Sequence, residues 1–208
     1  MYDTEFKIFV DSQLHGANWP KEACAVVAKD VFGTQKPFVV RNNFHGTHSE
    51  EELIHELEQY LEENRARDVQ PTKRHVQLKL FLNYSPCFEC SSRLIGFIDD
   101  CKSTFDLEIS LEVVFSGIYN IKRPSCIRCE CNTYHYKLNH VKANIEGLEL
   151  IRDGATLRTF EEKDWRELAS ILELPEERAE EAIRRRGKED SRMRQDLQEM
   201  LAEPSVGR

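Results

Sequence analysis

One short motif, which joins a strand pattern to a helix pattern, constrains this chain more than any other feature. Before it, apolar residues alternate with polar ones and predict a strand with one buried face: Val76, Leu78, Leu80 and Leu82. The motif Pro86-Cys87-Phe88-Glu89-Cys90 then opens a helical pattern, and proline suits a first turn. Cys87 and Cys90 are three residues apart, so both thiols lie on one side of that turn. A helix N-terminus favours thiolates, and two thiolates are half of a structural zinc site.

Length, composition and charge limit the class of protein. The 208 residues are enough for one well-buried domain with an extension, and 40% hydrophobic and 32% charged residues are typical of a soluble globular protein. We find no stretch near the roughly 20 apolar residues of a membrane span and no signal peptide, so we expect an intracellular protein that is cytoplasmic, nuclear or both. Seven cysteines in a reducing compartment indicate metal ligands or buried thiols before disulfides. The formal charge of −8 gives no global reason to expect nucleic-acid binding, which would need a local basic patch.

A second motif, His48-Ser49-Glu50, opens another helical pattern. Apolar residues recur after it within one stripe: Leu53, Ile54, Leu57 and Leu61. Glu50 falls on that stripe, where a carboxylate needs an explanation. One explanation is that Glu50 complements the helix dipole or closes a capping box with Thr47. The other is that Glu50 is a catalytic acid/base in a partly dry pocket.

Strand and helix patterns alternate along the rest of the chain. We expect a helix within 1–20, strands at 24–32, 38–40, 107–116 and 156–160, and helices at about 135–150 and 161–172. This alternation predicts an α/β domain over residues 1–175. Residues 176–208 predict a charged helical C-terminal extension in two pieces. Its run Arg184-Arg185-Arg186 is interpreted as a solvated helix rather than a phosphate site, since as many acids surround it.

Together, the two motifs resemble the H-x-E … P-C-x-x-C signature of zinc-dependent nucleobase deaminases. The resemblance implies that His48, Cys87 and Cys90 bind one Zn²⁺ ion and leave the fourth position to water. Glu50 would move protons between this water, the ring nitrogen and the leaving ammonia, during attack at C4 of cytosine or C6 of adenine. The alternative is a structural zinc site with a fourth protein ligand, or reduced core thiols.

Further stretches narrow the resemblance to the AID/APOBEC family of polynucleotide cytidine deaminases. Tyr84-Ser85-Pro86-Cys87 is similar to the family's Trp-Ser-Pro-Cys, and Arg41-Asn42 stands where the family has an Arg-Asn pair. Ile118-Tyr119 resembles the family's aromatic loop position, and residues 160–165 resemble its late threonine/aromatic motif. The resemblance implies a cytidine deaminase-like α/β fold, with a five-stranded mixed sheet flanked by about six helices. It also implies cytosine in single-stranded DNA or RNA as substrate, for nucleic-acid editing in antiviral defence or DNA mutation.

The chain departs from that family's pattern in three ways. The segment before His48 is one residue longer, so either Asn42 or Asn43 corresponds to the sugar contact. Tyr84 replaces the tryptophan that would wall the base pocket, although tyrosine can still stack on a base. The loop after Tyr119 is long and rich in cysteine, and the protein is acidic. These departures indicate a divergent branch, similar to the vertebrate novel AID/APOBEC-like deaminases.

Two further sets of site residues are expected. Nucleic-acid contacts are predicted from side chains around the motifs: Arg41, Asn42 or Asn43, Tyr84, Ser85, Tyr119, Lys122, Arg123 and Arg128. The cysteine-rich loop holds a candidate second, structural zinc site of the Cys₃His type: Cys126, Cys129, Cys131 and His135. The alternative for this loop is a set of partly buried free thiols.

Three functions remain open from the sequence. The leading one is zinc-dependent deamination of cytosine to uracil in a single-stranded polynucleotide. The second is deamination of free cytidine or cytosine nucleotides, which the net charge of −8 favours and Tyr119 with its basic neighbours disfavours. The third is a zinc-containing nucleic-acid-binding protein with little turnover, which an intact Glu50 disfavours.

Overall fold

The computed structural model describes residues 2–12, 24–27, 32, 34, 36–42, 46–67, 74–121, 123–126 and 138–202. Six α-helices and one β-sheet alternate in this part of the chain, which confirms the predicted mixed α/β class. A search of the same residues for a helix long and apolar enough to span a membrane finds none.

The elements follow the expected order. The helices are α1 (Asp3–Asp11), α2 (Ser49–Ala66), α3 (Phe88–Phe105), α4 (Leu138–Gly154), α5 (Glu162–Ile171) and α6 (Glu176–Ala202). The strands are β1 (Cys24–Val27), β2 (Phe38–Arg41), β3 (His75–Leu82), β4 (Glu108–Phe115) and β5 (Thr156–Thr159). A short 3₁₀ turn, Pro124–Cys126, lies in the segment between β4 and α4.

The sheet brings two loops to the same edge. Its strand order is β2-β1-β3-β4-β5, with β1 antiparallel to both neighbours and β3, β4 and β5 mutually parallel. Leu82 at the end of β3 lies beside Phe115 at the end of β4, so the loops that follow leave the sheet side by side. Because β2 and β3 are both antiparallel to β1, the end of β2 lies at that edge as well. The segments leading to the two sequence motifs therefore start close together.

Helices cover both faces of the sheet. Successive strand residues point to opposite faces, so Leu80 and Leu82 pack in one hydrophobic cluster while Phe81 packs in another. The first cluster also contains the apolar stripes of α2 and α3 and includes Cys101, which is fully buried. The second cluster joins α1 to α5, with Phe160 and Trp165 in ring contact at 4.4 Å between centroids.

The C-terminal helix corrects two predictions. α6 is one continuous helix of 27 residues, so the expectation of two helical pieces is wrong. Its residues belong to both hydrophobic clusters, Met193 and Leu197 to the first and Ala179 and Ala182 to the second. The expectation of a solvated arginine run is also wrong at Arg186, which has no exposed surface. A buried guanidinium is tolerated only when it is paired and hydrogen-bonded, and remote segments supply these partners.

Candidate metal centre

The N-termini of two helices bring a histidine and two cysteines together. His48 is the N-cap residue of α2 and Cys87 is the N-cap residue of α3, and both have the extended backbone of a cap. The backbone N–H of Cys90 donates a hydrogen bond to Cys87 Sγ over 3.5 Å, so this sulfur satisfies a donor in the first turn of α3. Because the positive ends of the two helix dipoles lie here, the site favours thiolates.

The three side chains have the spacing of metal ligands. Their ligand atoms all lie within 4.8 Å of one another. His48 Nδ1 is 3.1 Å from Cys90 Sγ and 3.4 Å from Cys87 Sγ. Ordinary Zn–N and Zn–S bonds in a tetrahedron separate nitrogen and sulfur by about 3.6 Å. The group therefore needs only small adjustments to hold a tetrahedral ion, and the donor set is compatible with zinc.

The two thiols are electrostatically coupled. The pKa of Cys87 is lowered to about 7, first by the hydrogen bond from the Cys90 thiol and further by the Cys90 backbone N–H and by His48. The same hydrogen bond raises the pKa of Cys90, and burial and the charge of Glu50 raise it further. One thiolate therefore forms near neutral pH, and a bound cation favours the second.

Glu50 lies on the buried side of α2, as the stripe predicted, and its role differs from that of Glu51. The Glu51 carboxylate accepts the backbone N–H of His48 over 3.0 Å and so closes the capping box of α2. The alternative in which Glu50 closes a capping box with Thr47 is therefore wrong. Glu50 is only 6% exposed, and burial raises its pKa against the opposing effect of the Ser49 hydroxyl, which donates to it over 3.1 Å.

Two tyrosines stand beside the metal centre. The Tyr119 ring contacts the His48 ring edge to face, with the two centroids 6.4 Å apart. It also contacts the Tyr84 ring in a tilted arrangement, with the two centroids 6.3 Å apart. Burial raises the pKa of both phenols, that of Tyr84 to about 12, so both are neutral hydroxyls at physiological pH. The predicted aromatic residues are thus brought together next to the predicted ligands.

The loops that carry these tyrosines are hydrogen-bonded to each other. The Ser85 backbone N–H donates to the Gly117 carbonyl over 2.7 Å, and the Tyr119 backbone N–H donates to Ser85 Oγ over 2.9 Å. A Cβ atom at Gly117 would lie 2.9 Å from the Asn83 carbonyl oxygen, so only glycine allows this close approach. Ser85 is 2% exposed and its hydroxyl is engaged, so it positions Tyr119 and does not face a substrate.

Asn144 on α4 is a site residue that the sequence analysis missed. Its Oδ1 accepts the backbone N–H of Phe88 over 3.3 Å, and its Nδ2 donates to the Tyr119 carbonyl over 3.4 Å. One buried amide therefore links the first turn of α3, which follows Cys87, to the Tyr119 loop. An isolated asparagine in a helical pattern gives no signal of this contact in the sequence.

The other predicted contact residues are dispersed. Arg41 Nη2 forms an ion pair with Glu5 Oε1 over 2.8 Å, and Asn42 is half-buried. Arg123 is buried and paired with Asp196 and Glu189, which is incompatible with the predicted contact to a polynucleotide. The remaining predictions lie outside the described residues: Asn43, Lys122, Arg128, Cys129, Cys131, His135 and the side chain of Cys126.

The fold and the site define a mixed α/β protein with a His/Cys/Cys group that could bind a metal ion at two helix N-termini. Comparisons with protein-family models and with curated proteins find no match to this chain. Its function is therefore argued from the site.

Proposed function

We propose that this protein is a zinc-dependent cytidine deaminase that converts cytosine to uracil in single-stranded DNA or RNA. The observation that carries the proposal is the pairing of a three-ligand metal site with a buried carboxylate, Glu50, that helix capping does not use. The proposal includes a cytidine deaminase-like fold for the domain, which the mixed α/β architecture supports.

The number of ligands supports a catalytic rather than a structural ion. Structural zinc sites are closed by four protein ligands, whereas catalytic sites have three and leave a position open. Among the residues that the structure describes, only His48, Cys87 and Cys90 form such a group. His48, Cys87 and Cys90 would hold the zinc ion, which when bound would lower the pKa of a water molecule and so provide a nucleophile near neutral pH.

The surroundings of the site supply the other requirements of a deaminase. Glu50 is buried, and the Ser49 hydroxyl donates a hydrogen bond to one of its oxygens. Its carboxyl group could therefore pass two protons in turn, the first from water to the ring nitrogen and the second from the added hydroxyl to the leaving amine. Tyr84 and Tyr119 offer aromatic surface on which a flipped-out or single-stranded base stacks.

A specific observation favours a second candidate, the deamination of free cytidine or cytosine nucleotides. Two of the positively charged residues predicted to contact nucleic acid fall among the described residues, and both are ion-paired within the protein: Arg41 with Glu5, and Arg123 with Asp196 and Glu189. A polynucleotide deaminase needs unpaired cations along the strand, whereas a nucleoside deaminase does not.

The test measures deamination by the full chain with Glu50→Gln as the central variant. Substrates are single-stranded DNA and RNA oligonucleotides with one cytosine each, and free cytidine. We expect uracil in an oligonucleotide, with at least about a hundredfold loss in Glu50→Gln because proton transfer contributes that much. Zinc content should not change.

The matched control is Glu56→Gln, an exposed carboxylate on the same helix. It should leave the rate unchanged. Turnover of cytidine alone would replace the first candidate with the second, and equal rates for Glu50→Gln and the unmodified protein would contradict the role of Glu50.

A further inference from the structure

Helix α6 contacts the segment that carries Tyr119 at both of its ends. This segment, of which residues 116–121 and 123–125 are described, leads from the end of β4 to the 3₁₀ turn and is called the Tyr119 segment. At its start, Arg186 Nη2 donates to the Ser116 carbonyl, and Arg186 Nη1 donates to the Ser12 carbonyl. The Asp190 carboxylate accepts from Arg186 Nη2 over 2.8 Å and holds the guanidinium in this orientation.

At the other end, α6 presents carboxylates instead of a cation. Asp196 accepts three hydrogen bonds from the Tyr119 segment: from Arg123 Nε over 2.6 Å, from the Ser125 backbone N–H over 2.8 Å and from Ser125 Oγ over 2.7 Å. Glu189, one residue before Asp190, pairs with Arg123 Nη1. These groups are nearly all buried, so removal of one partner leaves a desolvated charge behind.

The part between these anchors faces the metal centre. Ile118 and Ile121 are buried on either side of Tyr119, and Asn120 has a left-handed backbone with φ of 49°. Asparagine tolerates this conformation better than most residues, so the chain turns directly after Tyr119. Thus the Tyr119 ring is held 6.4 Å from the His48 ring by a short segment whose two ends are fixed to a remote helix.

A gain in folding stability does not explain why α6 uses buried ion pairs to hold the Tyr119 segment. Buried ion pairs recover little more than the cost of their desolvation, and apolar residues of similar size would stabilise α6 as well or better. The charged groups instead restrict the orientation of the segments that they join, because a guanidinium and a carboxylate bind their partners only in defined geometries.

We infer that α6 is a positioning element of the proposed active site: Arg186 and Asp196 fix the two ends of the Tyr119 segment and thereby set the position of the Tyr119 ring beside the metal centre. Neither residue touches the metal ligands. The inference rests on the proposed function only in what Tyr119 does for a substrate, because the anchoring itself is independent of the reaction.

The test uses two conservative variants of the full chain. Arg186→Lys keeps the charge next to Asp190 but lacks the fork that reaches two carbonyls at once. Asp196→Asn keeps one acceptor and removes the charge that faces Arg123. The control is Arg185→Gln, on the same helix, whose guanidinium pairs with Asp11 at the protein surface.

The first measurement is amide hydrogen exchange, which needs no substrate. We expect exchange of residues 117–121 to become at least about tenfold faster in Arg186→Lys and Asp196→Asn, as loss of a charge-assisted hydrogen bond predicts. β3 and α3 should keep their protection, and Arg185→Gln should match the unmodified protein. Unchanged exchange at 117–121, or equal acceleration in every element, would overturn the inference.

The second measurement is a double-mutant cycle on KM for the oligonucleotide substrate. Tyr119→Ala and each α6 variant should raise KM by about fivefold or more, since stacking on an aromatic ring contributes that much per base. The α6 variants should have no further effect in the Tyr119→Ala background. Additive effects would contradict positioning through Tyr119. If the unmodified protein deaminates none of the substrates, the proposed function is wrong. Hydrogen exchange alone then tests whether Arg186 and Asp196 hold the Tyr119 segment in place.

Discussion

At the scale of single residues, neighbouring side chains of the same type have different roles because their surroundings differ. Glu50 and Glu51 are adjacent on the first turn of α2, but Glu51 caps the helix and Glu50 is buried. Cys90 and Cys101 are both buried thiols on α3, but only Cys90 has an imidazole nitrogen within 3.1 Å. Burial raises the pKa of Cys101 to about 12, so it stays a neutral thiol in the core.

This difference between the two thiols predicts the result of their substitution. Cys90→Ala should lower the zinc content of the purified protein by about one equivalent, because two remaining ligands do not hold a tetrahedral ion. Cys101→Ala is the matched control and should keep the full zinc content, with about 1 kcal/mol lost from core packing. Atomic absorption on dialysed protein measures both. An unchanged zinc content in Cys90→Ala would show that the ion binds elsewhere.

At the scale of elements, the site depends on how closely α4 approaches the first turn of α3. The two helices meet at Gly147, where a Cβ atom would lie 2.9 Å from Phe88 Cα and 2.9 Å from Ser91 Oγ. This contact lies next to Asn144, which donates to the Tyr119 carbonyl. The close approach at Gly147 thus helps to set the distance between the candidate metal ligands on α3 and the loop opposite them.

Gly147→Ala should therefore disturb both stability and metal binding. The added methyl group forces α4 away from α3, at a cost of about 1–3 kcal/mol in the free energy of unfolding, and should weaken zinc affinity severalfold. Gly96→Ala is the control, because nothing lies within 4 Å of a Cβ atom at that position of α3. This substitution should stabilise the helix by up to about 1 kcal/mol. Equal effects of the two substitutions in urea unfolding and zinc titration would contradict the prediction.

At the scale of the whole molecule, buried charge pairs link helices to strands that are far apart in the sequence. Asp164 on α5 has no exposed side-chain surface and binds Arg158 on β5 and Lys79 on β3. Its Oδ1 accepts from Arg158 Nη2 over 2.8 Å and from Lys79 Nζ over 2.9 Å. α6 contributes in the same way through three buried charged residues, Arg186, Glu189 and Asp196.

The Asp164 network predicts how stability changes in acid. Burial raises the pKa of Asp164, but the hydrogen bonds from Arg158 and Lys79 outweigh it and hold the pKa below its usual value. As the pH falls, the Asp164 carboxyl group is protonated near pH 3.9 in the unfolded chain, but only at a lower pH in the folded protein. The free energy of unfolding therefore decreases as the pH drops from about 5 through the lower pKa of the folded state.

Asp164→Asn should make this acid-side slope shallower and should cost about 3 kcal/mol or more at pH 7, where a buried pair is broken. Asp153→Asn, at an exposed position of α4, should leave both quantities unchanged. Urea unfolding measured between pH 3 and 7 gives the slopes, and parallel profiles for Asp164→Asn and the unmodified protein would contradict the prediction.

Most of the elements and the candidate metal ligands could be predicted from the sequence, because both follow from local spacing. The apolar periods of 2.0 and 3.6 residues predicted the strands and helices, and the two motifs named His48, Cys87 and Cys90 before their side chains were seen to meet. The placement of Glu50 on a buried stripe has the same origin. Each of these is a property of a few neighbouring residues.

Which charged and polar residues are buried could not be predicted from the sequence, because their partners lie far along the chain. Arg186 bonds to Ser12, 174 residues away, and Arg123 to Asp196, 73 residues away. In the sequence, a buried arginine with such partners looks the same as a solvated one. The local periodicity indicates which way a side chain points, but not which distant carbonyl or carboxylate it contacts after folding. For the same reason the roles of Asn144, Ser85 and α6 became visible only in the folded protein.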